Sequence, residues 1–221
     1  MRLEAVYLGT NARNAFADLV ERVDDAGVAI FDLKEGVLER VGATVTPQPV
    51  LAVAPFPRRT VDELPDDGLV LVAVSMQDPG NAGTLLRSTE AFGGAGVVFC
   101  GNSVDVRNPK VVRSSAGAIF GLTIAEGDDP VQVLAALGTR GRRRFGTAAD
   151  GGAPPDGVDL TGPVALVLGN EARGLPPALS DELDATVTIP VEPPSESLNV
   201  AMAGTILLAE AARQRRPRAR P

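Results

Sequence analysis

The sequence predicts an α/β fold in which a mostly parallel sheet, covered by helices, follows a smaller α/β unit. Three observations support that reading. Apolar strands alternate with amphipathic helices from Leu69 onward, the pattern of parallel strands joined by helical crossovers. A shorter strand-helix-strand pattern precedes it. Between the two, residues 55–68 (PFPRRTVDELPDDG) interrupt with three prolines, mixed charge and a glycine.

Residues 3–8 (LEAVYL), 28–33 (VAIFDL) and 50–54 (VLAVA) read as short strands. Between the first two, Phe16, Leu19, Val20 and Val23 recur at helical spacing, predicting a helix over Asn14–Asp25 with Gly27 as its stop. The domain division is then 1–60 for the small unit, 61–68 for a linker and 69–221 for the larger unit. In the larger unit, strands are expected at 69–75, 97–100, 120–125, 143–149, 164–170 and 185–191. Helices are expected at 82–92, 109–117, 130–138 and 197–213. Ligands of such sheets sit at the carboxyl ends of strands. The loops after Ser75, Ala149, Asn170 and Val191 are therefore the candidate site.

Composition narrows the chemistry. The 221 residues include no histidine, which excludes Ser-His-Asp and Cys-His triads, histidine metal sites and imidazole acid–base catalysis within this chain. No metal site is predicted. Cys100 is the single cysteine, reads as a core strand residue and fits a reducing compartment. No apolar run approaches a membrane span, and no signal pattern follows Met1, so the cytoplasm is the expected location. A net charge of −7 disfavours a protein that simply coats nucleic acid. Two arginine clusters stand against that average: Arg140, Arg142, Arg143 and Arg144, and a tail of Arg213, Arg215, Arg216, Arg218 and Arg220. Each is either solvated surface or a contact for a polyanion.

Three segments could hold chemistry. In QDPGNAGTLLR (77–87), Pro79-Gly80 turns the chain, Asn81 is placed to cap the next helix, and Arg87 falls in that helix's second turn. Arg87 reads equally as a surface ion pair with Glu90 or Asp78. In LVLGNEARGL (166–175), a strand runs into Gly169, which permits close backbone approach or a positive φ; a plain polar turn would look the same. In IPVEPPSESLNVAMAGTILLAEAAR (189–213), Ser195 or Ser197 could cap a core helix. The absence of GxGxxG and of a Walker GKS/T motif weakens the case for a dinucleotide-dependent dehydrogenase or a P-loop enzyme.

In order and spacing the three segments closely resemble the SpoU (TrmH-type) branch of the SPOUT RNA 2′-O-ribose methyltransferases. The elements of that match are N-x-G-x-x-x-R after a first strand, then LGNE-x-x-G-L, then IP followed by ESLNVA opening a C-terminal helix. The resemblance spans residues 69–213, and GNSVDVRNPKVVRSSAGAIFGLTI (101–124) looks like the segment between the first two motifs. Residues 1–60, ending in TVTPQPVLAV, resemble a shortened form of the ribosomal-protein-like RNA-binding domain that precedes many such enzymes.

The resemblance implies a C-terminal deep trefoil knot, an exception to the rule that chains avoid threading. It implies S-adenosylmethionine as cofactor, held by Gly169, Ile189 and Leu198 largely through backbone groups, with Thr147 a further candidate. It implies Arg87 as principal catalytic residue, with Asn81, Glu171, Ser197 and Asn199 shaping the site. The expected substrate is RNA, with 23S rRNA ahead of tRNA, and a homodimer is implied. A non-catalytic RNA-binding or assembly protein on the same fold is the competing class. Two departures stand out. Val191-Glu192-Pro193-Pro194-Ser195 replaces the family's glycine-rich loop, putting two prolines and a negative charge near the cofactor, and Ala201 stands where Ser is common.

Overall fold

The structure, a computed structural model, describes residues 3–42 and 47–216. It divides between Pro57 and Arg58 into two units.

In the first unit, β1 (Ala5–Leu8) pairs in parallel with β2 (Ala29–Asp32) and antiparallel with β3 (Val50–Val53), giving the order β2-β1-β3. Strand alternation sends Val6 and Leu8 to one face, where they bury against Ala12 and Val23 of the intervening helices. The predicted helix starts earlier than expected and is broken in two. Phe16, at φ −127 and ψ 41, separates α1 (Ala12–Ala15) from α2 (Ala17–Asp25), and its side chain packs into this core. A short third helix, α3, covers Val37–Val41.

The second unit has a six-stranded, all-parallel sheet of β4 (Leu69–Val74), β5 (Gly96–Cys100), β6 (Thr123–Gly127), β7 (Arg143–Thr147), β8 (Val164–Leu168) and β9 (Ala185–Val187). Its order is β6-β5-β4-β8-β7-β9. β4 to β6 progress to one side and β7 to β9 lie on the other, so the sheet's topological switch falls between β4 and β8, the position where open α/β sheets bind ligands. β4, β5 and β8 are buried along their whole length, which explains their unbroken apolar sequences. Cys100 is interior to β5, its thiol pushed up to about 12, chiefly by burial.

Among its described residues five α-helices accompany the sheet: α4 (Pro79–Ala91), α5 (Pro109–Ser114), α6 (Ala118–Gly121), α7 (Pro130–Thr139) and α8 (Val200–Arg215). The strand expected at 120–125 begins only at Thr123, because positive φ at Ala116 and Gly117 ends α5 and starts the separate turn α6. α4 starts at Pro79, not near Ala82. Its cap is Asp78, whose side chain accepts from the Asn81 N–H at 2.7 Å, so Asn81 is not the cap. α8 likewise starts at Val200. Asn199 caps it, accepting from Ala201 and Met202, and neither Ser195 nor Ser197 does.

Residues 61–68, expected as a linker, pack into the second unit. Val61 and Leu64 join the core formed by β4, β5, β8 and α7. A capping box between Thr60 and Glu63 starts a 3₁₀ turn there. The Arg140–Arg144 cluster explains why this stretch lies down. Arg142 is 2% exposed and donates to the carbonyls of Gly68 (2.6 Å), Asp67 (3.3 Å), Val164 (3.4 Å) and Pro65. Arg140 donates to Val61, to Leu64 (2.6 Å) and to Asp66. Arg143 pairs with Asp159 and lies over Phe145, and Arg144 pairs with Asp184 and Glu182. All four guanidiniums are spent inside the unit. Among the described residues of the C-terminal cluster, Arg213 pairs with Glu210 and Arg215 donates to Leu160 and Gly162; Arg218 and Arg220 lie outside the described residues.

Candidate functional site

At the switch point the carboxyl ends of β4 and β8 meet. Ser75, just past β4, holds a positive φ of 52 that few non-glycine residues adopt. Its carbonyl accepts from Asn170 Nδ2 at 2.9 Å, joining the loops after the two strands. Asn170 Oδ1 also accepts from the Ala172 and Arg173 N–H groups, shaping a turn closed by backbone pairing of Asn170 with Gly174. Gly169 has no room for a side chain, since a Cβ there would lie 2.2 Å from the Gly174 carbonyl carbon. Its glycine is thus required by its own loop, and its φ is not positive.

Glu171 is the centre of a hydrogen-bonded cluster. Oε1 accepts from the Asp78 N–H (3.0 Å) and Asn81 Nδ2 (3.3 Å); Oε2 accepts from the Gln77 N–H (3.4 Å) and Asn170 Nδ2 (3.2 Å). Burial pushes its pKa up, but the N–H donors of Asp78, Gln77 and the carboxamide of Asn81 outweigh that, and the net shift is downward. Glu171 is therefore a fixed carboxylate and a poor proton acceptor. Asn81, released from capping, uses both ends of its amide, donating to Glu171 and accepting from Asn199 Nδ2 at 3.1 Å. The cap of α8 is thereby tied to the first turn of α4.

The helices behind this cluster meet closely. Ser88 and Thr205 hydroxyls are 2.8 Å apart, and Gly204 lies where a Cβ would come 2.5 Å from Leu85 and 2.7 Å from Leu168. Beside the cluster opens a cavity of about 270 Å³. Its walls come from the loops after β7, β8 and β9 and from the start of α8. Gly169, Ile189, Leu198, Thr147, Ser197 and Glu171 all line it. Thr147 Oγ1 donates to the Val167 carbonyl at 3.2 Å. The negative charge at this wall comes from Glu196 as well as Glu171; Glu192 and the two prolines do not line it.

Arg87 stands apart from both cluster and cavity. It occupies the third turn of α4, is exposed, and has neither ion pair nor side-chain hydrogen bond among the described residues, so pairing with Glu90 or Asp78 does not occur. Asn170 and Ser75 were not singled out from sequence. Asn170 sits inside the LGNE string, but an asparagine after a strand signals only a turn, and nothing local marks Ser75. Among the described residues no cluster of His, Cys, Asp or Glu could hold a metal ion, and no helix is long and apolar enough to cross a membrane.

Residues 68–209 match the model of the SpoU rRNA Methylase family. A Mycobacterium tuberculosis protein described as an uncharacterized tRNA/rRNA methyltransferase is 35% identical over 218 residues, covering 96% of this chain and 68% of its own. Among solved structures, an AdoMet-bound rRNA methyltransferase from Sinorhizobium meliloti superposes with a TM-score of 0.86 at 25% identity, covering 97% of this chain and 81% of its own. An RNA 2′-O ribose methyltransferase superposes with a TM-score of 0.77 at 31% identity, covering 97% and 82%.

Proposed function

The chain belongs to the SpoU rRNA methylase family, with the α/β fold of the SPOUT methyltransferases, and from that premise we propose that it methylates a ribose 2′-hydroxyl of RNA, 23S rRNA foremost. RNA methyl transfer from S-adenosylmethionine is the family's chemistry. The observation that best supports the reading is the hydrogen bonding of Asn81, Glu171 and Asn199 from three separate motifs, with Glu171 also lining the cavity. The ribose and rRNA assignments rest on likeness to relatives described as 2′-O ribose and rRNA enzymes, which match both units of this chain, and the preference for 23S on the ribosomal-protein-like resemblance of residues 1–60. A homodimer is proposed on the family resemblance of the sequence alone.

The cavity suits the cofactor. Ile189, Leu198, Val187 and Leu207 offer apolar walls for a flat base, Ala148, Ala149 and Ala203 leave room, and loop backbone supplies donors and acceptors without diagnostic side chains. Carboxylates at Glu171 and Glu196 complement positive charge. When bound, S-adenosylmethionine supplies a methyl group on a positively charged sulfonium. Transfer forms an O–C bond at the ribose, breaks the S–C bond and releases the hydroxyl proton.

The residues' tasks are therefore to orient the ribose and to ease loss of that proton. A guanidinium has no acceptor, so Arg87 does not take the proton. It grips the phosphate beside the target ribose, which it is free to do because no carboxylate occupies it. That phosphate, or the electrostatic field beside it, then helps the hydroxyl lose its proton. Glu171 holds Asn81, and Asn81 with Asn199 and Ser197 orients the sugar.

Transfer of tritiated methyl to total RNA, followed by mapping of ribose methylation, tests this; label on bases alone, or none, refutes it. Arg87→Ala abolishes transfer while cofactor affinity stays within about twofold. Arg87→Lys keeps the charge but loses two-pronged geometry, so near-normal turnover by that variant would refute the phosphate grip.

A further inference from the structure

The second unit's cations fall into two groups. Arg107, Arg140, Arg142, Arg143, Arg144, Arg213 and Arg215 are engaged by carboxylates or carbonyls of the same unit. A second group has no ion pair or side-chain hydrogen bond among the described residues, and it includes Arg87, Lys110 and Arg113, all exposed.

Those three stand on two helices that touch, Arg87 on α4 and Lys110 and Arg113 on α5. Ser114 of α5 donates to the Pro79 carbonyl at 2.9 Å, and a Cβ on Gly83 would lie 1.9 Å from Ser114 Oγ, so the helices touch at Gly83 and Ser114. Arg87 lies one turn beyond Gly83 on the same face of α4. Lys110 lies one turn before Ser114, and Arg113 is its immediate neighbour. α5 is held firmly: Asn108 caps it through the Lys110 N–H, and Ser114 also donates to the Lys110 carbonyl.

Of five carboxylates near these helices four are engaged elsewhere, and the fifth, Glu90, pairs with none of the three cations. Asp78 caps α4, Glu171 is in its cluster, Asp105 and Glu126 pair with Arg107, and Glu90 is turned toward Gly121. In a chain that is acidic on balance, three uncompensated cations on two touching helices leave positive charge that an anion would relieve.

We infer that Lys110 and Arg113 form a second phosphate-binding position beside Arg87, so that the RNA strand entering the site runs across the crossing of α4 and α5. The inference rests on the reading of the substrate as RNA. The two cations position the substrate and take no part in the methyl transfer itself. Each phosphate contact on a single strand adds about 0.7 to the slope of log affinity against log salt, worth about fivefold at 0.1 M relative to 1 M. Loss of both therefore weakens binding about 25-fold at 0.1 M salt.

The test compares wild type, Lys110→Ala/Arg113→Ala and the charge-preserving Lys110→Arg/Arg113→Lys. The probe is a mixed-sequence 20-nucleotide single-stranded RNA titrated from 0.05 to 0.5 M salt, with S-adenosylmethionine affinity as the check on folding. The expected result is a slope about 1.4 smaller for the alanine pair, an unchanged slope for the charge-preserving pair and unchanged cofactor affinity in both. An alanine pair that keeps the wild-type slope overturns the inference, as does wild-type binding insensitive to salt. Methyl transfer by wild type to total RNA is measured in parallel. Its absence overturns the enzymatic reading, whereas its presence with unaltered slopes overturns only the second phosphate position.

Discussion

Replacing Glu171 by glutamine tests whether the carboxylate organises the site. Its two oxygens accept from four donors, the N–H groups of Gln77 and Asp78 and the amides of Asn81 and Asn170. A glutamine has one oxygen, so whichever way its amide turns, an NH₂ group faces two donors and two hydrogen bonds are lost. At ~0.5–1 kcal/mol each, the low end being right for an exposed side chain, Glu171→Gln costs about 1–2 kcal/mol. For a chain of this length that lowers Tm by about 2–8 °C at pH 7. The sign of the pH dependence follows from the downward shift. The folded-state pKa lies below the ordinary 4.5, so the carboxylate's contribution is fully present above that value and is lost as pH falls through the folded one. The Tm difference between wild type and variant should therefore shrink below about pH 4.5. Scanning calorimetry from pH 7 to pH 3 measures it. Equal Tm values at pH 7, or a gap that persists on acidification, would refute the argument. Methyl transfer should fall with the lost grip on Asn81, and wild-type turnover would show that Glu171 does not position it.

Arg142→Met leaves the carbonyls of Pro65, Asp67 and Gly68 without their donor, and the expected cost is about 3–5 kcal/mol, read as a lower urea midpoint; a change under ~1 kcal/mol would show that residues 65–68 are held otherwise. Asn199→Ala removes the α8 cap and the contact with Asn81 together, for about 1 kcal/mol and a large loss of methyl transfer. Asn199→Asp keeps the cap and loses the donor to Asn81, so it should stay near wild type in Tm yet fall in turnover, and the reverse outcome would separate the two roles the other way. Gly204→Val overpacks against Leu85 and Leu168, with a destabilisation of about 1–3 kcal/mol by thermal melting that rigid neighbours would enlarge.

The alternation of strands and helices was legible because burial on both faces leaves only apolar residues in β4, β5 and β8, a signal that survives in one sequence. Ends were harder to read. Asn81 and Asp78 are both good caps, and only the position of Pro79 at the first helical turn decides for Asp78. At α8 the sequence points to Ser195 or Ser197, yet Asn199, as good a cap by residue type, takes the position. The break at Phe16 had no local sign, since no glycine or proline marks it and the packing of its ring into the core decides it. The motifs of the cavity were readable as strings, and Gly169, Ile189, Leu198 and Ser197 line one cavity together. What the strings did not contain was the wiring. That Asn81 bridges Glu171 and Asn199 depends on contacts 90 and 118 positions apart. The Arg140–Arg144 cluster shows the opposite failure, because density of charge along a chain says nothing of which way guanidiniums turn.

The bond from Asn199 to Asn81 also places the site in time. Contacts of such span close late, after the local ones that form strands and helices, and a chain made from its N-terminus presents β4 and α4 long before α8 exists. A growing chain can possess the sheet, the caps of its early helices and even the carboxylate of Glu171 without a carboxamide to complete the cluster. The hydrogen-bonded cluster is thus incomplete until α8 has docked on α4. The finished site reports that assembly of this unit has reached its last step.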